Sequence, residues 1–266
     1  MMAEPAARLS DSATPRGFAI KLAGVSKTYD NGLVALAPLD LDVLKGEFVS
    51  LLGPSGCGKS TALRIIAGLI APTSGQVQVA GRASRSIGFV FQEPTLMPWA
   101  TVRDNVRLPL RLAHVAREDA DRRVSDALAR VGLAEFAETY PRELSGGMKM
   151  RVSLARALVT DPDVLLMDEP FAALDEITRF RLNNDLLVLW RELHKTIVFV
   201  THSVFESVFL SQRVIVMTAR PGRIESEIHV DADPRDESFR TSAAYAAFCR
   251  EASTALARAS ERKGAS

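Results

Sequence analysis

Residues 47–69 read EFVSLLGPSGCGKSTALRIIAGL. Glu47 to Leu52 is a short, nearly continuous apolar run, the pattern of a strand buried on both faces. A glycine-rich segment follows from Gly53 to Gly58, and a helical pattern runs from Ser60 to Leu69. Gly53-Pro54-Ser55-Gly56-Cys57-Gly58-Lys59-Ser60 satisfies GxxxxGK[ST] at every fixed position. The glycines let successive backbone N–H groups turn inward around an anion. The helix behind them points its positive end at the same place. Lys59 supplies a mobile point charge for terminal phosphates, and the Ser60 hydroxyl suits Mg²⁺. Cys57 reads as a small filler facing away from the phosphates.

Around this segment the chain has the composition of a globular domain. Of its 266 residues 47% are hydrophobic and 24% charged, which excludes a wholly disordered chain. Lys plus Arg number 33 against 32 Asp plus Glu. A net charge of +1 leaves no basic field for coating nucleic acid. Two cysteines, Cys57 and Cys249, are too few for a disulfide framework and fit a reducing compartment. The first residues, MMAEPAARLSDSATPRGF, lack the apolar core of a signal peptide, so export is not expected. The longest uncharged stretch, Ile65–Gly81, is broken by Gly68, Pro72 and Gly75, so it does not read as a bilayer span. Work at a membrane would require binding to something that crosses it.

Further buried strands are expected at Ile87–Phe91, Val164–Met167, Ile197–Val200 and Val214–Met217, with helical patterns between them. Strands alternating with helices predict an α/β fold with a mainly parallel sheet. Alternation in Phe18–Leu22 and Leu39–Val43, with a turn signal at Asp30-Asn31-Gly32, predicts an N-terminal antiparallel β subdomain. Thr101 to Tyr140 is helical in period with no strand signal, and reads as part of an inserted helical subdomain at about residues 99–160. Residues 1–16 read as a flexible tail, 17–230 as the main domain and 231–266 as a helical tail. In that tail Tyr245, Phe248, Ala252, Ala255 and Ala259 recur at helical spacing and predict a helix docked on the body.

Val164-Leu165-Leu166-Met167 runs straight into Asp168-Glu169, which places two carboxylates at the C-terminal edge of a buried strand. Open α/β sheets bind ligands at that edge. Asp168 is suited to hold Mg²⁺, and Glu169 to orient or deprotonate an attacking water. Leu144-Ser145-Gly146-Gly147-Met148 precedes a helix whose apolar face holds Val152, Ala155 and Leu158. Ser145 is a good N-cap, so this is a second anion-ready helix start, without an acid pair of its own. That asymmetry suggests that it serves a nucleotide held mostly by another copy.

With these residues in place, the chain resembles the ATP-binding subunit of an ATP-binding cassette transporter over about residues 18–222. The resemblance implies a P-loop NTPase core in which Gly53–Thr61 is the Walker A loop and Asp168-Glu169 ends Walker B. It makes Tyr29 the aromatic residue that stacks on adenine. It makes Gln92 the glutamine that touches Mg²⁺ and the water and relays to the membrane subunit. Leu144–Met148 becomes the signature, with Met148 in place of the usual Gln. Ala173-Leu174-Asp175 becomes the D-loop, and His202 the switch histidine, followed by Ser203 where many members have Asp. His114, His194 and His229 match no motif.

Phe91-Gln92-Glu93-Pro94-Thr95-Leu96-Met97-Pro98-Trp99, Thr101–Val106 and Arg220-Pro221-Gly222-Arg223 resemble the nitrate/sulfonate/taurine importer group. The resemblance implies an ATPase using ATP and Mg²⁺, in which Glu169, His202 and Gln92 serve catalysis. It implies a homodimer with nucleotides sandwiched between copies. The assembly would sit on the cytoplasmic face of a bacterial inner membrane as a peripheral subunit bound to transmembrane permease subunits. A periplasmic solute-binding protein would be an indirect partner. Solute choice would lie with those partners, and the Pro98-Trp99 region would help receive the permease. A soluble cassette ATPase for assembly or DNA repair would carry long coiled coils or basic DNA surfaces, which are not visible. A small-molecule P-loop kinase has no use for Leu144–Met148 or His202.

Overall fold

The computed structural model describes residues 17–80, 87–232 and 235–261; the tail read at 1–16 lies outside them. The N-terminal alternation folds as β1 (Phe18–Thr28) antiparallel to β2 (Val34–Leu44). In β2 the buried Leu39, Leu41 and Val43 alternate with exposed Asp40 and Asp42, so one face meets the core and the other water. β3 (Phe48–Leu52) is buried along its whole length and leads through the glycine loop into α1 (Lys59–Ile66). β4 (Ser74–Val79) pairs with the other edge of β1, giving a three-stranded sheet in the order β2-β1-β4.

β5 (Ile87–Val90) is followed by the helical insertion: α2 (Val102–Leu112), α3 (Arg117–Arg130) and α4 (Gly146–Leu158). The chain then returns through β6 (Val164–Asp168), α5 (Glu176–Leu193), β7 (Thr196–Thr201), α6 (Val204–Leu210) and β8 (Arg213–Met217). It ends with β9 (Ile224–His229), α7 (Glu237–Arg240) and α8 (Ala243–Glu261). The second sheet has the order β5-β6-β7-β3-β8-β9; its first five strands are parallel and β9 is antiparallel to β8.

β3 shows why its sequence is nearly continuously apolar. Phe48 and Leu52 face a core shared with the helical insertion and α8, whereas Val49 and Leu51 face one shared with β1, β2 and α1. Both faces of the strand are covered, which favours apolar side chains, and its one polar residue, Ser50, is small and fully buried. α8 docks on the main core, with Phe248 only half-buried and Cys249, outside the expected set, buried. Tyr245, Ala252, Ala255 and Ala259 are buried, and the Tyr245 hydroxyl donates to the Phe205 carbonyl at 3.0 Å. Among the described residues no helix is long and apolar enough to cross a membrane.

Two strands fall outside the sequence expectation. β4 is almost wholly exposed, and β9 buries only Ile228 fully, so neither carries a strong hydrophobic period. Both are edge strands held by backbone pairing to an already formed neighbour. α1 also stops at Ile66 rather than Leu69, with Ala67 as its C-cap and Gly68 following at φ 71°.

Candidate functional site

The glycine loop lies at the C-terminal end of β3, beside the corresponding ends of β7 and β8. A Cβ on Gly53 would fall 2.9 Å from Cys57 Sγ and 2.9 Å from the Met217 carbonyl oxygen, so only glycine fits. Gly58 sits at φ 100°, where a Cβ would strike Ala35 and Leu36 at 2.7 Å. Lys59 is 4% exposed and donates to the carbonyls of Gly53 at 2.8 Å and Pro54 at 3.0 Å. The Cys57 side chain is buried, and burial pushes its thiol above the ordinary range against the opposing pull of Lys59. It is packing material, as the sequence suggested.

The loop forms one wall of a cleft of about 470 Å³, into which Lys59, Ser60, Thr61, Tyr29, Gln92 and Glu169 also face. The Tyr29 hydroxyl lies 3.3 Å from the Thr61 hydroxyl, and the Lys27 ammonium stands 5.4 Å from the centroid of the Tyr29 ring. β6 brings the carboxylate pair to the same place. Asp168 is 6% exposed and accepts from the Ser60 hydroxyl at 2.7 Å. Burial pushes its carboxyl up, and the Ser60 hydrogen bond opposes that shift.

Glu169 has a φ of 45°, the left-handed region that costs a non-glycine residue about 1 kcal/mol. Its N–H donates to the Val200 carbonyl at 3.0 Å, which ties this unfavourable turn to the neighbouring strand. The turn aims its carboxylate at two partners. Oε1 is 3.8 Å from Lys59 Nζ, and Oε2 is 3.2 Å from His202 Nδ1. Lys59, Glu169 and His202, which the sequence spreads over more than half the chain, thus form one line of polar contacts.

Ser203, the departure beside His202, caps α6: its hydroxyl accepts from the Glu206 N–H at 3.3 Å. Serine and aspartate are both strong N-caps, so the exchange keeps the turn that presents the histidine. Behind it, buried Glu206 accepts from Thr201 at 2.5 Å and lies 3.6 Å from Arg179, which donates to the Leu174 carbonyl at 2.8 Å. Burial pushes the Glu206 carboxyl up, with Thr201 and Arg179 opposing.

Ser145 caps α4, accepting from the Met148 N–H at 3.3 Å. Ser145 and Gly146 are exposed, whereas Met148 is half-buried against the main core. A Cβ on Gly147 would fall 2.6 Å from Thr178 Cγ2, and one on Gly146 would fall 3.3 Å from Leu174 Cδ2. The start of α4 therefore lies on the Ala173-Leu174-Asp175 turn. Asp175 in turn caps α5, accepting from the Thr178 N–H, which holds its carboxyl below the usual range. Neither Ser145–Met148 nor Asp175 lines the Lys59 cleft. Two anion-ready helix starts stand at separate places on one chain.

Trp99 is 76% exposed, so it is not a packed core side chain. Its loop is firm. The Asn105 amide donates to the carbonyls of Met97, Ala100 and Thr101, and its oxygen accepts from the Met97 N–H. The cleft also contains Leu33, Ala35 and Arg220, which the motif reading did not assign to it. Arg220 had a signal only as part of Arg220-Pro221-Gly222-Arg223.

Three comparisons bear on this geometry. The family model described as ABC transporter matches residues 36–172. The nitrate import ATP-binding protein NrtD of Synechocystis sp. is 46% identical over 217 residues, covering 80% of this chain and 81% of that protein. The taurine import ATP-binding protein TauB of Jannaschia sp. is 44% identical over 233 residues, covering 83% and 87%. A dimeric ATP-binding cassette solved in a post-hydrolysis state with ADP and Pi superposes with a TM-score of 0.71 at 36% identity. That match covers 80% of this chain and 99% of the solved one.

Proposed function

The chain belongs to the ABC transporter family of nucleotide-binding ATPases, and on that footing we propose that it powers an importer for a small solute of the nitrate, sulfonate or taurine kind. The taurine and nitrate relatives support the solute class, and the Lys59–Glu169–His202 line supports the chemistry. The amides of Gly53–Thr61 and the Lys59 ammonium take the phosphate arm of ATP, and Tyr29 takes the adenine. The Ser60 hydroxyl and Asp168 carboxylate, already 2.7 Å apart, form a hard-oxygen pair with the Gln92 amide on the same cleft, a donor set that fits Mg²⁺. When bound there, Mg²⁺ would neutralise phosphate charge. Glu169 orients the attacking water and accepts its proton, while His202 fixes the Glu169 carboxylate and contacts the γ-phosphate.

Ser145–Met148 and Asp175, which do not line their own cleft, complete the site of a second copy, so that two ATP molecules are shared between two chains. Permease subunits engage the loop carrying Trp99, on the cytoplasmic face of a bacterial inner membrane. A periplasmic solute-binding protein meets the permease rather than this chain, and nucleic acid is no partner.

The test is phosphate release by the purified protein and by Lys59→Ala. Loss of this buried cation should lower turnover at least about a hundredfold. Near-normal activity in the variant would refute the assignment.

A further inference from the structure

Arg220 is the one described cation besides Lys59 that lines the nucleotide cleft. It reaches the cleft from the turn between β8 and β9, outside every segment to which the motif reading gives a role. That turn is fixed against its surroundings. The Gly222 N–H donates to the Ala35 carbonyl at 3.0 Å, and the Ala37 N–H donates to the Gly222 carbonyl at 3.1 Å. Thr218 Oγ1 donates to the Pro221 carbonyl at 3.1 Å and accepts from the Arg223 N–H at 3.1 Å. Gly222 also packs so closely on the Cys57 carbonyl that a side chain has no room.

The backbone carrying Arg220 is thereby locked to both β2 and the phosphate loop. From it the side chain lies over the rim of that loop. Nε donates to the Gly56 carbonyl at 3.3 Å, and Nη2 is 3.2 Å from where a Cβ on Gly56 would stand. One N–H of the guanidinium plane is used to hold it there, and the residue is exposed and lines the cleft. A guanidinium held in place by one donor keeps a fork of donors suited to phosphate oxygens, at less entropic cost than a free side chain. Lys59 covers the buried side of the loop; Arg220 covers its open rim.

We propose that Arg220 is a second cationic contact for the phosphate arm of the nucleotide and sets the affinity for ATP. The inference rests on the ATPase reading above. It is tested on the full chain by titrating ATP with Mg²⁺ into wild type, Arg220→Ala and Arg220→Lys by calorimetry, alongside steady-state hydrolysis. For Arg220→Ala the Kd and KM for ATP should rise about fivefold at low salt, with kcat changing far less. The difference should shrink as salt is raised, and Arg220→Lys should recover most of the affinity. The thermal midpoint of the nucleotide-free protein should stay at the wild-type value.

An unchanged Kd in Arg220→Ala, beside a wild type that binds ATP, would overturn the arginine assignment alone. A fall in kcat or in thermal midpoint at unchanged KM would also overturn it, by making Arg220 a brace for Gly56. Failure of the wild type itself to bind ATP would overturn the ATPase reading together with this inference.

Discussion

Asp168 ends a strand whose residues are all buried, and burial works against its charge. Its folded pKa lies above the ordinary value of 3.8, so the ionised form costs the fold stability above the folded pKa. That cost disappears as pH falls below the unfolded value. Asp168→Asn keeps an oxygen that accepts from Ser60 and removes the charge. Without Mg²⁺ it should raise the thermal midpoint at neutral pH by about 2 °C or more. The gain should fade as pH falls toward about 4. Thermal unfolding in chelator across that range checks the sign; a gain that grows on acidification would contradict it. Lys59, Ser60, Asp168 and Glu169 were legible in the sequence because each motif pairs a short spacing with a specific chemistry. The left-handed backbone at Glu169 was not legible, because no side-chain pattern encodes it and a contact with β7 holds it. Nor was Arg220, which meets Gly56 across 164 residues of chain.

At the scale of elements, the loop of Trp99 holds an exposed indole on a braced backbone. Asn105, fully buried, spends its amide on the loop backbone, so the indole is presented on a fixed support rather than a floppy one. Leu112 and Leu69, 70% and 58% exposed, are further uncovered apolar side chains of this protein. Trp99→Ala should leave the isolated subunit's ATPase within about twofold, since an exposed side chain away from the cleft is being removed. Its co-purification with permease subunits from membranes should fall several-fold, as loss of a large aromatic anchor does at an interface. Equal losses in both measurements would place Trp99 in the ATPase machinery instead. The strands β1, β2, β3 and β5 to β8 were readable because each presents at least one apolar face to a core. β4 and β9 were not, because backbone pairing at a sheet edge asks little of the side chains.

At the scale of the whole molecule, the second anion-ready helix start lies outside the lining of the Lys59 cleft, and on the proposed shared site a single copy is incomplete. Ser145 is the better place to break that start, because it is exposed whereas Gly147 already packs on Thr178. Ser145→Arg should lose most ATPase activity while its fold loses only a cap, about 1 kcal/mol. Mixed with Lys59→Ala, it should regain about a quarter of the sites, since random exchange makes about half the dimers hybrid with one intact site each. Full activity of Ser145→Arg alone would contradict a shared site. The central claim, that ATP joins two copies of this chain, is tested most directly by sedimentation velocity of Glu169→Gln. The glutamine preserves shape and removes the proton acceptor, so ATP should stay bound. The account predicts a dimer at saturating ATP and Mg²⁺ and a monomer without nucleotide; a monomer under both conditions would contradict it.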